Sequence, residues 1–243
     1  MHKVGVILNS YRRPHTLKEQ YEAVINQTVE PYDILLWQNN PCDPSIQFDT
    51  SFMEDVKIAS NNDNFGVWSR FAFALNSSSD YICMLDDDTI PAEGWFENCL
   101  DCMEEQEGLY GSNGVIFNDP NYSSYTQHGW ARPNNEIEQV DIVGHSWFFP
   151  REYLGAFWRE APIPLSLVCG EDMHFSYSIQ KYLGKNTYVP PHPDNNHSIW
   201  GSDKTLGYKY GVDQHAVSVN YHGTHFALSL QHYIKKGFKC LNF

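Results

Sequence analysis

Three adjacent aspartates, Asp86-Asp87-Asp88, stand directly behind the apolar run Tyr81–Leu85. That run is a strand's length and reads as a buried strand, and three carboxylates at its mouth repel one another. The arrangement is costly unless a cation neutralises the charge. Hard oxygen ligands suit Mg²⁺ or Mn²⁺, and either ion can bridge a diphosphate. The plainer reading of the triplet is a solvated turn ahead of Pro91. A fold that places acids at a buried strand end must open that end to something. In open α/β sheets, ligands sit outside the C-terminal strand ends.

The flanking pattern is that of an α/β chain. Val4–Leu8 and Ile34–Trp37 are short apolar runs, hence strands. Between them, behind Pro14, Leu17, Tyr21, Val24 and Ile25 form a helical stripe. Val67–Leu75 predicts a second helix, with Phe71 and Leu75 four apart. Ala92–Gln106 predicts a third, with acids in its first turn and Gly108 behind it. Strand and helix alternate, which predicts a parallel sheet with helices on both faces.

The second half is less regular. Asn118–Gln139 is polar and reads as a long loop or an inserted hairpin. Val140–Val143 and Trp147–Phe149 predict strands. After Gly170 a helix carries Phe175, Ile179, Tyr182 and Leu183 on one face and stops at Gly184. Thr187–Val189 predicts a strand, and Pro191–Gly223 reads as loop. Thr224 is placed to cap a last helix bearing Phe226, Leu230 and Ile234.

Composition narrows the function. Apolar residues make up 42% of the 243, and aromatics 15%, enough for one sizeable core and too many for a disordered chain. No apolar run reaches the ~18 residues of a membrane span. Val4–Leu8 runs straight into Asn9, Ser10, Tyr11, Arg12 and Arg13, so no leader is expected and the chain is predicted to be cytoplasmic. Sixteen basic against thirty acidic residues leave a formal charge of −14, which argues against a non-specific nucleic-acid binder. The six cysteines have no framework spacing, and Cys99 and Cys102, a C-x-x-C in the third helix, read as small core or helix-face residues, with metal or redox chemistry as the alternative.

Two enzyme classes place Asp-x-Asp at a strand end. Haloacid-dehalogenase-type phosphatases carry a Thr or Val four residues after the first Asp, where Ile90 stands here, and usually use the first strand of the domain. Glycosyltransferases of the GT-A type place theirs at about this depth. From residue 3 to about residue 197 the chain resembles a GT-A glycosyltransferase, close in pattern to glycosyltransferase family 2. Asn9-Ser10-Tyr11-Arg12-Arg13 stands for the family's Pro-Thr-Tyr-Asn-Arg-like turn, with the Pro and the Asn altered. Asn39-Asn40 stands for the Asp-Asn that ends its second strand. Asn61-Asn62-Asp63-Asn64-Phe65-Gly66 resembles its Asn-x-Gly segment, Leu85–Pro91 its metal segment, and Gly170-Glu171-Asp172 its acid pair at a helix start.

The resemblance implies an α/β, single-domain GT-A fold over residues 1–243, a Rossmann-like mixed sheet flanked by helices. About 1–117 would form the nucleotide-sugar half and about 118–243 the acceptor half. It implies Ser10 and Tyr11 against the nucleotide base. Asn39 would accept a hydrogen bond from a uracil N–H through its amide oxygen. Arg70, Asp86 and Asp87 would lie near the nucleotide, with Asp88 as direct metal ligand. His197, or else His192, would be a late metal ligand. Asp172 would be the catalytic base of an inverting transfer, kept ionised by the helix start, with Glu171 beside it. His222 and His225 form an H-x-x-H without a nearby carboxylate and read as structural or as part of an acceptor loop. Trp130, Trp147 and Trp200 are candidates for stacking on sugar faces. The implied cofactor is Mn²⁺ or Mg²⁺, the donor a nucleotide sugar with UDP favoured, and the acceptor a glycan or other hydroxyl. The competing readings are a retaining GT-A enzyme, a D-x-D phosphatase and a non-catalytic carbohydrate-binding module.

Overall fold

The computed structural model describes residues 2–163, 168–211, 216 and 222–243. The N-terminal part runs β1 (Val4–Ser10), α1 (Leu17–Ile25), β2 (Asp33–Gln38), β3 (Val56–Ser60), α2 (Ser69–Phe73) and β4 (Tyr81–Leu85). β1 pairs in parallel with β2 and β4, and β2 with β3. Successive side chains of a strand point to opposite faces. Val4, Val6 and Leu8 accordingly join one core, Ile7 the other.

The chain continues with α3 (Trp95–Glu105), β5 (Leu109–Tyr110), β6 (Asn113–Phe117), β7 (Tyr125–Gly129), β8 (Glu138–Val140), β9 (Ile142–Gly144) and β10 (Ser146–Pro150). Then come α4 (Leu154–Phe157), α5 (Glu171–Leu183), β11 (Thr187–Val189), α6 (Lys204–Gly211) and α7 (Ala227–Lys235). Eight strands form one sheet in the order β3-β2-β1-β4-β10-β5-β11-β8, and β7-β6-β9 form a second. β10 runs antiparallel to both β4 and β5, so the main sheet is mixed. Its two faces are covered by separate cores. One packs β1 and β2 against α1 and α3. The other takes Phe71 of α2, Phe157 of α4, Met173 and Phe175 of α5 and Leu230 of α7.

The expected strands over 81–85 and 187–189 and the helix closed by Gly184 stand where the sequence put them. Cys99 and Cys102 are buried in α3, free of any disulfide. The polar stretch 118–139 contains β7, which forms a hairpin with β6. Five elements were not foreseen: β3, β5, β6, α4 and α6. β3 is a half-exposed edge strand with too little apolar content to stand out. The last helix starts at Ala227, behind a π-turn over His222–Phe226, so Thr224 does not cap it. Among the described residues no helix is long and apolar enough to cross a membrane.

Candidate active site

β4 delivers the aspartate triplet to the C-terminal edge of the sheet, and β10 returns beside it. Ser146 pairs with Leu85, so the antiparallel register sets His145 next to Asp86. The Asp86 N–H donates to the His145 carbonyl at 2.9 Å, and Thr89 Oγ1 donates to the same oxygen at 2.8 Å. His145 holds a φ of 65°, a left-handed conformation that a non-glycine residue adopts at a cost. The ligand atoms of Asp86, Asp88 and His145 lie within 4.8 Å of one another. Two carboxylates and an imidazole are a donor set that fits a divalent cation such as Mn²⁺.

The triplet is fixed from below by the start of α1. Gln20 Nε2 donates to the Asp86 carbonyl at 2.6 Å, and Thr16 Oγ1 to the Asp87 carbonyl at 2.6 Å. Asp87 does not face the site. Its carboxylate turns inward onto Arg13 Nη1 at 2.6 Å, and burial pushes its pKa up to about 6. Where a place near the nucleotide is expected for Asp87, the structure shows its carboxylate anchoring Arg13. Asp88 has Arg13 Nη1 at 3.5 Å and His145 Nδ1 at 3.6 Å. Burial would raise the Asp88 pKa, but these two cationic neighbours outweigh it and hold the carboxyl below its ordinary value. Burial would likewise lower the pKa of His145, and the Asp88 carboxylate reverses that and raises it.

The second acid anchor opens α5. Gly170 precedes it at φ 95°, and a Cβ there would meet Ser229 Oγ of α7 at 2.8 Å. Only glycine serves at that junction. Glu171 is buried, and its Oε1 accepts from Arg70 Nη2 at 3.1 Å. Asp172 is half-buried, and its Oδ1 accepts the Met173 N–H at 2.7 Å. Burial and the neighbouring carboxylates push Glu171 up to about 8 and Asp172 up to about 6. The expectation that the helix start lowers the Asp172 pKa is corrected: desolvation outweighs the hydrogen bond and the dipole.

Arg70 was expected near the nucleotide. It is instead 1% exposed and lies beneath the site, with its guanidinium 4.7 Å over the Trp147 ring. Nη1 pairs with Asp86, Nη2 with Glu171, and Nε donates to the Val67 carbonyl at 3.2 Å. One side chain thus joins both acid anchors.

At the ends of β1 and β2, Ser10 is buried with no partner for its hydroxyl among the described residues, and Tyr11 is half-buried under the Arg12 guanidinium at 4.8 Å. Asn39 does not fit its expected part. Its Oδ1 already accepts from Trp37 Nε1 at 3.0 Å and from the Phe65 N–H at 3.1 Å. Its Nδ2 donates to the Gly66 carbonyl at 3.1 Å. Asn39 therefore shapes the loop of 61–66, and no lone pair is left for a uracil N–H. Beside it opens a cavity of about 440 Å³, lined by Gln38, Asn40, Asn61, Ile46 and Phe48 among others.

The late histidines are not among the residues that the structure gathers with Asp86 and Asp88. His197 is exposed, stacks on Trp200 at 4.0 Å and reaches Asp203 at 3.7 Å, and it is no part of the described carboxylate–histidine group. His192 is fully buried, with Nδ1 2.8 Å from the Pro190 carbonyl and Nε2 accepting the Gly201 N–H at 3.2 Å. Both its nitrogens are in use. The H-x-x-H lies on the π-turn, where His225 Nδ1 is 3.1 Å from Thr224 Oγ1. Trp130 and Trp147 are core residues, and Trp130 packs edge-on against His145 at 4.9 Å.

The sequence reading missed His145 and Arg13. Arg13 was quoted only as part of a turn. A signal for His145 was present: Gly144-His145-Ser146 separates two apolar strand runs, the place where a short return beside β4 would leave a polar side chain at the sheet's edge.

Residues 5–161 match the profile of Glycosyl transferase family 2. Among 464 matching chains of solved structures is the crystal structure of S. aureus TarS 1–349. The two share 14% identity and a TM-score of 0.54, over 78% of this chain and 58% of that one. The likeness shows a shared fold, and the chain spans somewhat over half the length of that relative. No curated protein matches it. The profile covers well over half of the chain, which therefore belongs to glycosyl transferase family 2 and has a mixed-sheet α/β fold.

Proposed function

We propose that this family 2 domain transfers a sugar from a nucleoside-diphosphate donor, UDP favoured, to a hydroxyl of a glycan or similar acceptor, with inversion at the anomeric carbon. The observation that carries the reading is geometric: Arg70 pairs with Asp86 of the aspartate triplet and with Glu171 beside Asp172, which brings the two acid groups to one site. Asp88 is held ionised among cations, and Asp172 is made basic by burial.

Asp86, Asp88 and His145 are the residues that would hold Mn²⁺ or Mg²⁺. Bound there, the cation would stabilise the negative charge that grows on the departing diphosphate. We assign the donor to the strand ends of residues 1–117. There the Ser10 hydroxyl and the Tyr11 ring would meet the base, and the cavity lined by Gln38 and Asn61 adjoins them. The acceptor is assigned to the half from 118 onward. Asp172 takes the proton of the acceptor hydroxyl as its oxygen forms the new bond, opposite the bond to the diphosphate. A carboxylate with a pKa of about 6 is largely ionised at neutral pH and is still basic enough to draw that proton. Glu171 beside it is occupied by Arg70.

The test is a screen of nucleotide sugars for Mn²⁺-dependent hydrolysis without acceptor. The expected result is turnover of one donor class, uridine first, that stops in chelator. Turnover indifferent to chelator would remove the cation from the reading. With an acceptor in hand, the anomer of the first product by NMR decides inversion.

A further inference from the structure

We infer that Arg70 is a positioning residue that sets the distance between the cation-holding carboxylates and the general base, and that it does not touch the donor. The inference rests on the proposed reading of the site and adds the part that couples its two halves.

Arg70 makes contacts on three sides and exposes 1% of its surface. Nη1 pairs with Asp86 at the end of β4, Nη2 with Glu171 at the head of α5 at 3.1 Å, and Nε with the Val67 carbonyl at 3.2 Å. Its plane lies over Trp147 of β10. These groups come from separate parts of the chain: Glu171 lies 101 positions from Arg70, Asp86 only 16. No third element needs to relate β4 to α5 at this point, because one rigid fork spans both. A guanidinium is planar and fixed in its donor directions, so it transmits geometry as well as charge. An ammonium on a flexible stem cannot reach two carboxylates and stack on an indole in the same way.

The placement defines what the fork can control. Asp86 shares its cluster with Asp88 and His145, where the donor's diphosphate is held in the proposed reading. Glu171 directly precedes Asp172, the proposed base, in the same helical turn. Moving either carboxylate moves the base relative to the sugar, while the base pocket at Ser10 and Tyr11 is untouched. Displacements of about 1 Å in such a pair can cost on the order of 10²-fold in rate. The role also gives Glu171 a purpose other than proton transfer: it is the handle by which Arg70 holds α5.

The experiment compares wild type, Arg70→Lys, Glu171→Gln and the double variant. Nucleoside diphosphate affinity in Mn²⁺ is read by calorimetry and donor turnover at saturation by kinetics. Arg70→Lys is expected to lower kcat on the order of 10²-fold and to leave the diphosphate Kd within about threefold. Glu171→Gln should do the same, and the double variant should be no slower than the worse single one, since the two residues act as one unit. Arg70→Lys that weakens diphosphate binding tenfold or more and keeps kcat at saturation would make Arg70 a donor contact and overturn the inference alone. If Arg70→Lys does not fold, Glu171→Gln decides: kcat within twofold of wild type overturns the inference. A wild type that neither binds a diphosphate with Mn²⁺ nor turns over any nucleotide sugar overturns the reading of the site, and the role of Arg70 with it.

Discussion

The end of β4 and the head of α5 both present buried acids at one sheet edge, yet they differ in their cations. The β4 end has Arg13, His145 and one arm of Arg70 among its carboxylates. Among the described residues the α5 head has only the other arm of Arg70, and that arm goes to Glu171. Asp88 consequently sits below its ordinary pKa, and Asp172 is pushed up to about 6. One residue type serves two purposes because charge neighbours outweigh burial in the first place and burial outweighs them in the second. A low, fixed charge suits holding a cation, and a raised pKa suits moving a proton.

The largest expected effect tests the proton side. Asp172→Asn keeps the shape and the Met173 contact but cannot take a proton, so kcat should fall by about 10²–10⁴-fold. Diphosphate affinity in Mn²⁺ should stay within about twofold, since the β4 end is intact. In wild type the base must be ionised, so kcat should decline as pH drops through about 6. A cation at the β4 end would move that limb to lower pH and never to higher. If Asp172→Asn turns over normally while Glu171→Gln is inactive, the two acids have exchanged roles and the comparison must be redrawn around Glu171.

The cation side comes next. Asp88→Ala should abolish Mn²⁺-dependent nucleoside diphosphate binding in calorimetry. His145→Ala should weaken it by about tenfold, in the range seen when one member of a metal's environment is lost. His197→Ala should leave it within about twofold. A large effect at His197 and none at His145 would place the cation's last ligand outside the cluster seen here.

How far all this was legible depends on where the decisive information lies. The triplet, the acid pair and the strands that carry them were readable because each is a local pattern: an apolar run ended by acids, or a glycine followed by acids at a helix start. The contacts between them were not. Arg70 looked like a nucleotide contact because nothing local shows that it is buried between Asp86 and Glu171. Asn39 looked available because its amide oxygen is claimed by Phe65, well along the chain, as well as by nearby Trp37. His145 joins Asp86 only through the reversal of β10, and strand direction is a property of topology rather than of composition. The pKa of Asp172 was misjudged for the same reason. The dipole that lowers it is visible in sequence, and the burial that raises it is not.

The smallest expected effect concerns a third acid, which shows what partners do to a carboxylate away from the site. Glu160 accepts from Tyr177 at 2.9 Å, from Tyr182 at 2.6 Å and from Lys181 at 2.5 Å, and it also pairs with Lys236 just past α7. Its side chain is 13% exposed. Burial opposes ionisation, but the four donors outweigh it and hold the pKa far below the ordinary 4.5. Glu160 thereby fastens α5 to the end of α7. Glu160→Gln keeps the size and loses the charge, so at pH 7 it should cost about 1–2 kcal/mol, the low end for charge-assisted bonds because both lysines are partly solvated. The sign with pH follows from the direction of the shift. A carboxylate whose pKa is depressed on folding stabilises the fold at pH above the unfolded value, and the gain fades as pH falls toward the folded one. Urea unfolding of wild type and variant should therefore differ most near neutrality, and the gap should narrow below about pH 4.5. Turnover at saturation should not change, since Glu160 makes no contact with either acid anchor. Parallel stability curves from pH 7 to pH 3 would show that the four donors do not hold Glu160 ionised, and would weaken the rule that paired cations decide the state of the acids at β4 as well.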